Sequence, residues 1–286
     1  MAFIPMMSTG QDLGNLRSDV RALLDSVPGT FAVAFISANT GVELMLNEKE
    51  MFHAASTMKT PVMIEVFKQA QEGKFSLDDS VVVKNEFRSI VDGSAYELDL
   101  SQDSDDSMYK RVGSKASIRE LVFQMITVSS NLATNILIGL VDARNVTATM
   151  RSLGAHDIEI LRGVEDGKAF EKGLNNRTSA MDLAVIMTAI SNGKAVNPTA
   201  SAAMTEILLA QKFSDIIPAL LPGGSRVAHK TGSITGVEHD SGIVILPDGR
   251  RYILVLLSKN LKSAEAGKAA LARVSKRLFD FVTEGK

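Results

Sequence analysis

The apolar period of this chain changes twice, and that change sets the architecture. Phe31–Ile36 and Val42–Leu46 read as two strands, with Asn39-Thr40-Gly41 as the turn between them. Comparable strand patterns return only at Arg226–Lys230, Gly242–Leu246 and Arg251–Leu257, the last two joined through Pro247-Asp248-Gly249. Between about 60 and 212 the apolar residues recur at helical spacing, as in Leu121, Val122, Met125 and Ile126 after the capping box Ser117–Glu120. Helical patterns also stand at both ends, over 10–27 (Leu13, Leu16, Val20, Leu23, Leu24) and over Ala264–Val282 (Ala269, Leu271, Val274, Leu278, Phe281). An antiparallel sheet therefore has to draw on both ends of the chain. The expected class is α+β: an antiparallel sheet flanked by the N- and C-terminal helices, plus an all-helical lobe. The expected lobes are 1–58 with 213–286, and 59–212, with the active site in the cleft between them.

Composition narrows the function. The net charge is −2 and no basic stripe stands out, so nucleic acid is not an expected partner. Without cysteine there is neither a disulfide nor a thiolate metal site. Glu238-His239-Asp240 lacks the second histidine pair of a zinc site, and His229 is expected to pack on the strand face away from the active site. No metal and no cofactor is implied. No run of about eighteen apolar residues occurs, so no membrane-spanning helix is expected. Met1–Ser8 lack the basic start and long apolar centre of a signal peptide, which leaves a cytoplasmic protein or a trimmed mature form open.

Four stretches carry chemistry. Ser56 and Lys59 stand three apart at the start of an apolar helix, so hydroxyl and amine share one face. A buried lysine of lowered pKa can take the proton that a serine nucleophile must lose. The other reading is an N-capping serine and a solvated lysine. Ser129-Ser130-Asn131 lies between two helices and reads equally as a cap or as a hydroxyl and amide aimed into a cleft. Lys230-Thr231-Gly232-Ser233 lies on a strand, where Lys230 and Gly232 share a face and Gly232 permits close approach. Glu171 and Asn175, four apart in the loop 162–177, can hold one water between them, or belong to a polar surface loop. The acids Asp99, Asp103, Asp105 and Asp106, within the polar stretch 84–116, are expected in a solvated loop.

Taken together, Ser-x-x-Lys, Ser-x-Asn and Lys-Thr-Gly in this order around a helical insert resemble the class A serine β-lactamase family, over about 12–283. Met125–Ile138 is similar to a branch of β-lactamase-like serine hydrolases, and Glu171 with Asn175 matches the Glu-x-x-Leu-Asn pattern of class A enzymes. The resemblance implies the β-lactamase/penicillin-binding-protein fold, a monomer, a β-lactam or peptidoglycan-like substrate, and a periplasmic or secreted protein. It also implies roles. Ser56 becomes acylated, Lys59 activates it, and Ser129 protonates the leaving nitrogen. Asn131 positions Lys59 and the substrate amide, while Lys230 and Thr231 meet the substrate carboxylate beside Gly232. The N–H groups of Ser56 and Ser233 form the oxyanion hole, and Glu171 with Asn175 holds the deacylating water.

The chain departs from the family pattern in three places. Ser130 stands where the motif has Asp, and the loop after Asn175 reaches the next helix at once. The strand after Lys230–Gly232 carries His239-Asp240-Ser241-Gly242 where an arginine is common. The alternative implied activity is that of a DD-peptidase or serine esterase of the same fold that is acylated by penicillin and deacylates slowly.

Overall fold

The structure is a computed structural model and describes residues 9–37 and 40–284. The reading of Met1–Ser8 and the Asn39 position of the first turn lie outside the described residues. Helix α1 (Thr9–Asp25) leads into β1 (Thr30–Ser37) and β2 (Glu43–Leu46), followed by a two-residue strand β3 (Phe52–His53). A single 3₁₀ turn, Ala55–Met58, precedes α2 (Lys59–Gln71). Residues 80–117 carry two small ladders, β4 (Ser80–Val82) with β7 (Lys115–Ser117), and between them β5 (Phe87–Arg88) with β6 (Ala95–Tyr96). Helices α3 (Ile118–Thr127), α4 (Asn131–Val141) and α5 (Ala143–Ser152) follow. Next come the short α6 (Gly167–Glu171), β8 (Arg177–Thr178), α7 (Ala180–Ser191) and α8 (Pro198–Leu209). The chain closes with β9 (Arg226–Ile234), β10 (Val237–Ile245), β11 (Arg251–Lys259) and α9 (Ala264–Glu284).

The main sheet runs β2-β1-β11-β10-β9, antiparallel throughout, so β1 is joined to the three C-terminal strands and both ends of the chain build one sheet. Strands β1 and β11 at its middle are apolar in near-continuous runs because both faces are covered. Val33, Phe35, Tyr252, Leu254 and Leu256 point to one face and pack with Leu16, Val20 and Leu24 of α1 and Leu271, Val274 and Leu278 of α9. Ala32, Ala34, Ile253, Val255 and Leu257 point to the other and join the core of α2–α5, α7 and α8. Small alanines on that face of β1 leave room for α7, which packs across β1, β10 and β11. In α9 the buried alanines are Ala270 and Ala272, and the expected Ala269 is exposed.

Local signals set most helix starts. Ser117 accepts from Glu120 N, Ser179 from Asp182 N, and Asn197 from Ala200 N with Pro198 in the first turn. Two expectations are corrected. The loop 162–177 contains α6, capped by Asp166, and ends in β8, which pairs with β3. Strand β10 begins at Val237, five residues before the expected start, because Glu238–Ser241 are polar residues that pair fully with β9.

Candidate active site

The Ser56 turn is held in an uncommon backbone conformation. Ala55 has φ +45°, in the left-handed region that costs a non-glycine residue of order 1–3 kcal/mol unless its surroundings over-determine it. They do so here. Ala55 N donates to His53 Nδ1 (3.0 Å), Ala54 N to Asn176 O (2.8 Å), and Thr57 N to Ala54 O (3.1 Å). The half-buried Ser56 thereby presents its side chain to a cavity of about 270 Å³ whose walls include Ser129, Asn131, Thr231, Gly232 and Ser233.

Lys59, the first residue of α2, is fully buried. Its Nζ donates to Ser129 O (2.6 Å), Ser129 Oγ (3.1 Å) and Asn131 Oδ1 (2.9 Å). These contacts hold the loop between α3 and α4, where Ser129 sits at φ +59°. Lys230, also fully buried, donates to the same Ser129 Oγ (3.0 Å) and to Thr231 O (2.8 Å). Ser129 Oγ therefore accepts from two lysines, and its own proton is left for a third partner. Desolvation lowers the Lys59 pKa to about 7, with Asp103 and Glu165 opposing the fall. Desolvation, and after it Lys59, pushes Lys230 well below its ordinary value, with Asp240 opposing.

Strand β9 is the outer strand of the sheet and runs past the Ser56 turn. Lys230 and Gly232 share the face of Ala228, which belongs to the core on the helical side. A Cβ on Gly232 would stand 3.0 Å from Ser56 N and 3.1 Å from Thr57 N, so a side chain here would press on the backbone amides of the turn. Behind this strand His229 Nδ1 pairs with Asp240 Oδ1 at 2.9 Å, both buried, and Asp240 Oδ2 accepts from Ile217 N. His239 lies under the turn, with Nε2 2.9 Å from His53 O, and burial lowers its pKa to about 4.

The structure does not bring Glu171 to this cluster. Glu171 ends α6 on the exposed surface, and Asn175 Oδ1 accepts from Arg162 Nη2 (3.0 Å) as a brace of the loop. The carboxylate that reaches the cluster is Glu165. Its Oε1 accepts from Asn131 Nδ2 (2.8 Å), so Asn131 bridges Glu165 and Lys59, and its Oε2 accepts from Asp99 N (3.1 Å). Glu165 sits at φ +60° and is clamped on both sides. Val164 is tied through N and O to Asn135, and Asp166 accepts from Ser89 Oγ and Ile90 N. Burial raises the Glu165 pKa, its hydrogen bonds from Asp99 and Asn131 opposing. The Glu-x-x-Leu-Asn spacing pointed to Glu171, which lies on the exposed surface instead. The available signal for Glu165 was its place directly before Asp166-Gly167, a helix start.

Two further residues escape a reading by motif. Asn176 takes Leu161 N and Arg162 N on Oδ1 and donates to Arg162 O and Met58 Sδ, tying the loop to the Ser56 turn. Asp103 is no solvated acid: half-buried, it accepts from Asn131 N (2.8 Å) and Leu132 N (3.1 Å) at the start of α4. With Ser130 as the N-cap residue, the carboxylate absent from the motif's middle is supplied from a distant loop.

Comparison with known proteins gives the family and the fold. The profile of the "Beta-lactamase enzyme family" matches residues 15–282. The extended-spectrum β-lactamase PER-1 of Pseudomonas aeruginosa is 23% identical over 276 residues, covering 93% of this chain and 87% of PER-1. β-Lactamase L2 of Stenotrophomonas maltophilia is 26% identical over 235 residues, 80% of this chain and 72% of L2. Among solved structures, a β-lactamase from Sphaerobacter thermophilus superposes with a TM-score of 0.80 at 26% identity, covering 93% of this chain and 97% of that one. PBP-A superposes with a TM-score of 0.82 at 25% identity, covering 94% and 96%. The family match spans both cores, the Ser56 turn and the strand of Lys230, and the chain belongs to the β-lactamase enzyme family.

Proposed function

We propose that this protein is a serine β-lactamase that opens the lactam amide through an acyl-enzyme on Ser56. The observation that carries the reading is one hydroxyl, Ser129 Oγ, held between two buried lysines beside the Ser56 turn. Neutral Lys59 takes the Ser56 proton as Oγ attacks the carbonyl, and the N–H groups of Ser56 and Ser233 stabilise the oxyanion. Ser129 gives its proton to the leaving nitrogen and is reprotonated through the lysines that already donate to it. Glu165 replaces Glu171 as the carboxylate that activates the deacylating water, and Asn131 positions it relative to Lys59. Thr231 and Lys230 face the substrate beside Gly232.

A second reading is favoured by one observation: both Glu165 oxygens already accept hydrogen bonds, from Asn131 and Asp99. A carboxylate so engaged activates water poorly, and the protein would then be acylated by penicillin and deacylate slowly, as a peptidase or esterase. A PBP-A mutant solved as its acyl-enzyme complex with penicillin G is among the similar structures.

Intact-protein mass spectrometry during a benzylpenicillin time course tests the proposal. The expected result is a transient adduct on Ser56, absent in Ser56→Ala, with product accumulating over many turnovers. Glu165→Gln should trap the adduct, slowing deacylation about 10²–10⁴-fold, while Glu171→Gln should turn over at close to the parent rate. A stable adduct on the parent protein would establish the second reading, and no adduct would remove both.

A further inference from the structure

The two ends of the cavity differ in charge. On one side the lining residues Ser129 and Asn131 are backed by the buried Lys59 and Lys230 and, through Asn131, by Glu165. The outer end, past Thr231, is walled by Ser233, Glu238, Asp215 and Lys268. Glu238 stands opposite Ser233 in the β9–β10 register and is 4% exposed, with Oε1 accepting from Ser233 Oγ at 2.9 Å. Lys268, from the first turns of α9, lies 3.3 Å from Asp215 Oδ2 and 3.9 Å from Glu238 Oε2. Two carboxylates thus face a single ammonium. Ser233 has committed its hydroxyl proton to one of them, and Lys230 is turned inward to Ser129 Oγ and Thr231 O.

A carboxylate entering this end would meet the Glu238 carboxylate at short range. The serine hydroxyl is already donating, and Lys268 is already neutralised by Asp215 and Glu238. An ammonium would meet the reverse situation, because it completes a second ion pair and leaves the Lys268 contacts intact. We infer that Glu238, with Asp215, sets the charge preference of the cleft. At its Ser233 end the site takes acyl donors that carry an ammonium group in preference to donors that carry a carboxylate. This deepens the proposed function and rests on Ser56 being the acylated nucleophile. Unit charges about 5 Å apart, at the effective dielectric of a protein cleft, change binding by tenfold or more.

Three donors with one acyl group separate the terms: benzylpenicillin, its neutral methyl ester, and its choline ester, which carries a permanent quaternary ammonium. Second-order acylation rates at Ser56 are read by intact mass at pH 7.5 and low salt. Burial raises the Glu238 carboxyl above its ordinary range, Ser233 and Lys268 opposing and Asp215 adding to the rise, so the rates are read well above the ordinary carboxylate range. The parent protein should favour the choline ester over benzylpenicillin at least tenfold, with the methyl ester between them. Glu238→Gln, which keeps an acceptor for Ser233, should shrink that ratio about tenfold or more. Lys268→Met, which strips both carboxylates of their cation, should enlarge it. A purely structural role for Glu238 would alter all three rates alike and leave the ratio unmoved. Preference for benzylpenicillin in the parent, or a ratio unmoved in both variants, overturns the inference alone. Acylation by none of the three overturns it together with the proposed function.

Discussion

Lys59 holds the balance of the cluster. As an ammonium it satisfies three acceptors at once, on Ser129 and Asn131. As an amine it has only two N–H groups and a lone pair, and a lone pair is what a general base needs. Burial brings its pKa to about 7, so both forms are populated near neutrality. Because the base form is the deprotonated one, acylation, read as kcat/KM for benzylpenicillin, should rise with pH through about 7 and level off above it. Asp103 raises the Lys59 pKa, so Asp103→Asn should move this limb to lower pH. A kcat/KM flat between pH 6 and 8 would remove Lys59 as the base. Ser56 with Lys59, Ser129 with Asn131 and Lys230 with Gly232 are legible in the sequence because a short spacing fixes each pair. Glu165 is not, because its place depends on Asn135 and Ser89, whose hydrogen bonds to its neighbours are contacts no local spacing reveals.

At the scale of the elements, the site is a meeting of one turn and one strand edge. Gly232 is the contact point, and its missing Cβ is what allows β9 to pass the amides of Ser56 and Thr57. Gly232→Ala places a methyl group 3.0 Å from Ser56 N and should lower acylation about 10²-fold, in the range for losing one oxyanion donor. The thermal midpoint should fall as well, since Gly232 is buried and the turn must shift to admit the methyl group. Unchanged acylation in that variant would show that the Ser56 amide is not a donor in the reaction. The capped start of α3 was readable from Ser117, whose side chain acts within three residues of itself. The first half of β10 was not, because Glu238, His239 and Asp240 are strand residues kept polar by their duties at the cleft and beneath the turn.

For the molecule as a whole, the sheet separates two cores with different work. The core on the α1/α9 side lies behind the sheet, and the core on the other side carries the Ser56 turn and the cleft. Leu278→Ala, at a fully buried position of α9, should cost about 2–5 kcal/mol in urea unfolding. The turnover of the folded fraction should stay close to that of the parent. A loss under about 1 kcal/mol would mean that the site collapses around the missing side chain.

The order of the strands also imposes a timetable. Strand β1 finds its partner β11 only after more than two hundred further residues have been made. At ribosomal rates of about 5–20 residues per second, that interval is on the order of ten seconds or longer. Throughout it a strand with two oily faces and one open edge waits at the growing chain, a natural client for a holding chaperone. Ser56 and Lys59 are made early and Lys230 late, so Ser129 Oγ gains its second lysine only once β9 has left the ribosome.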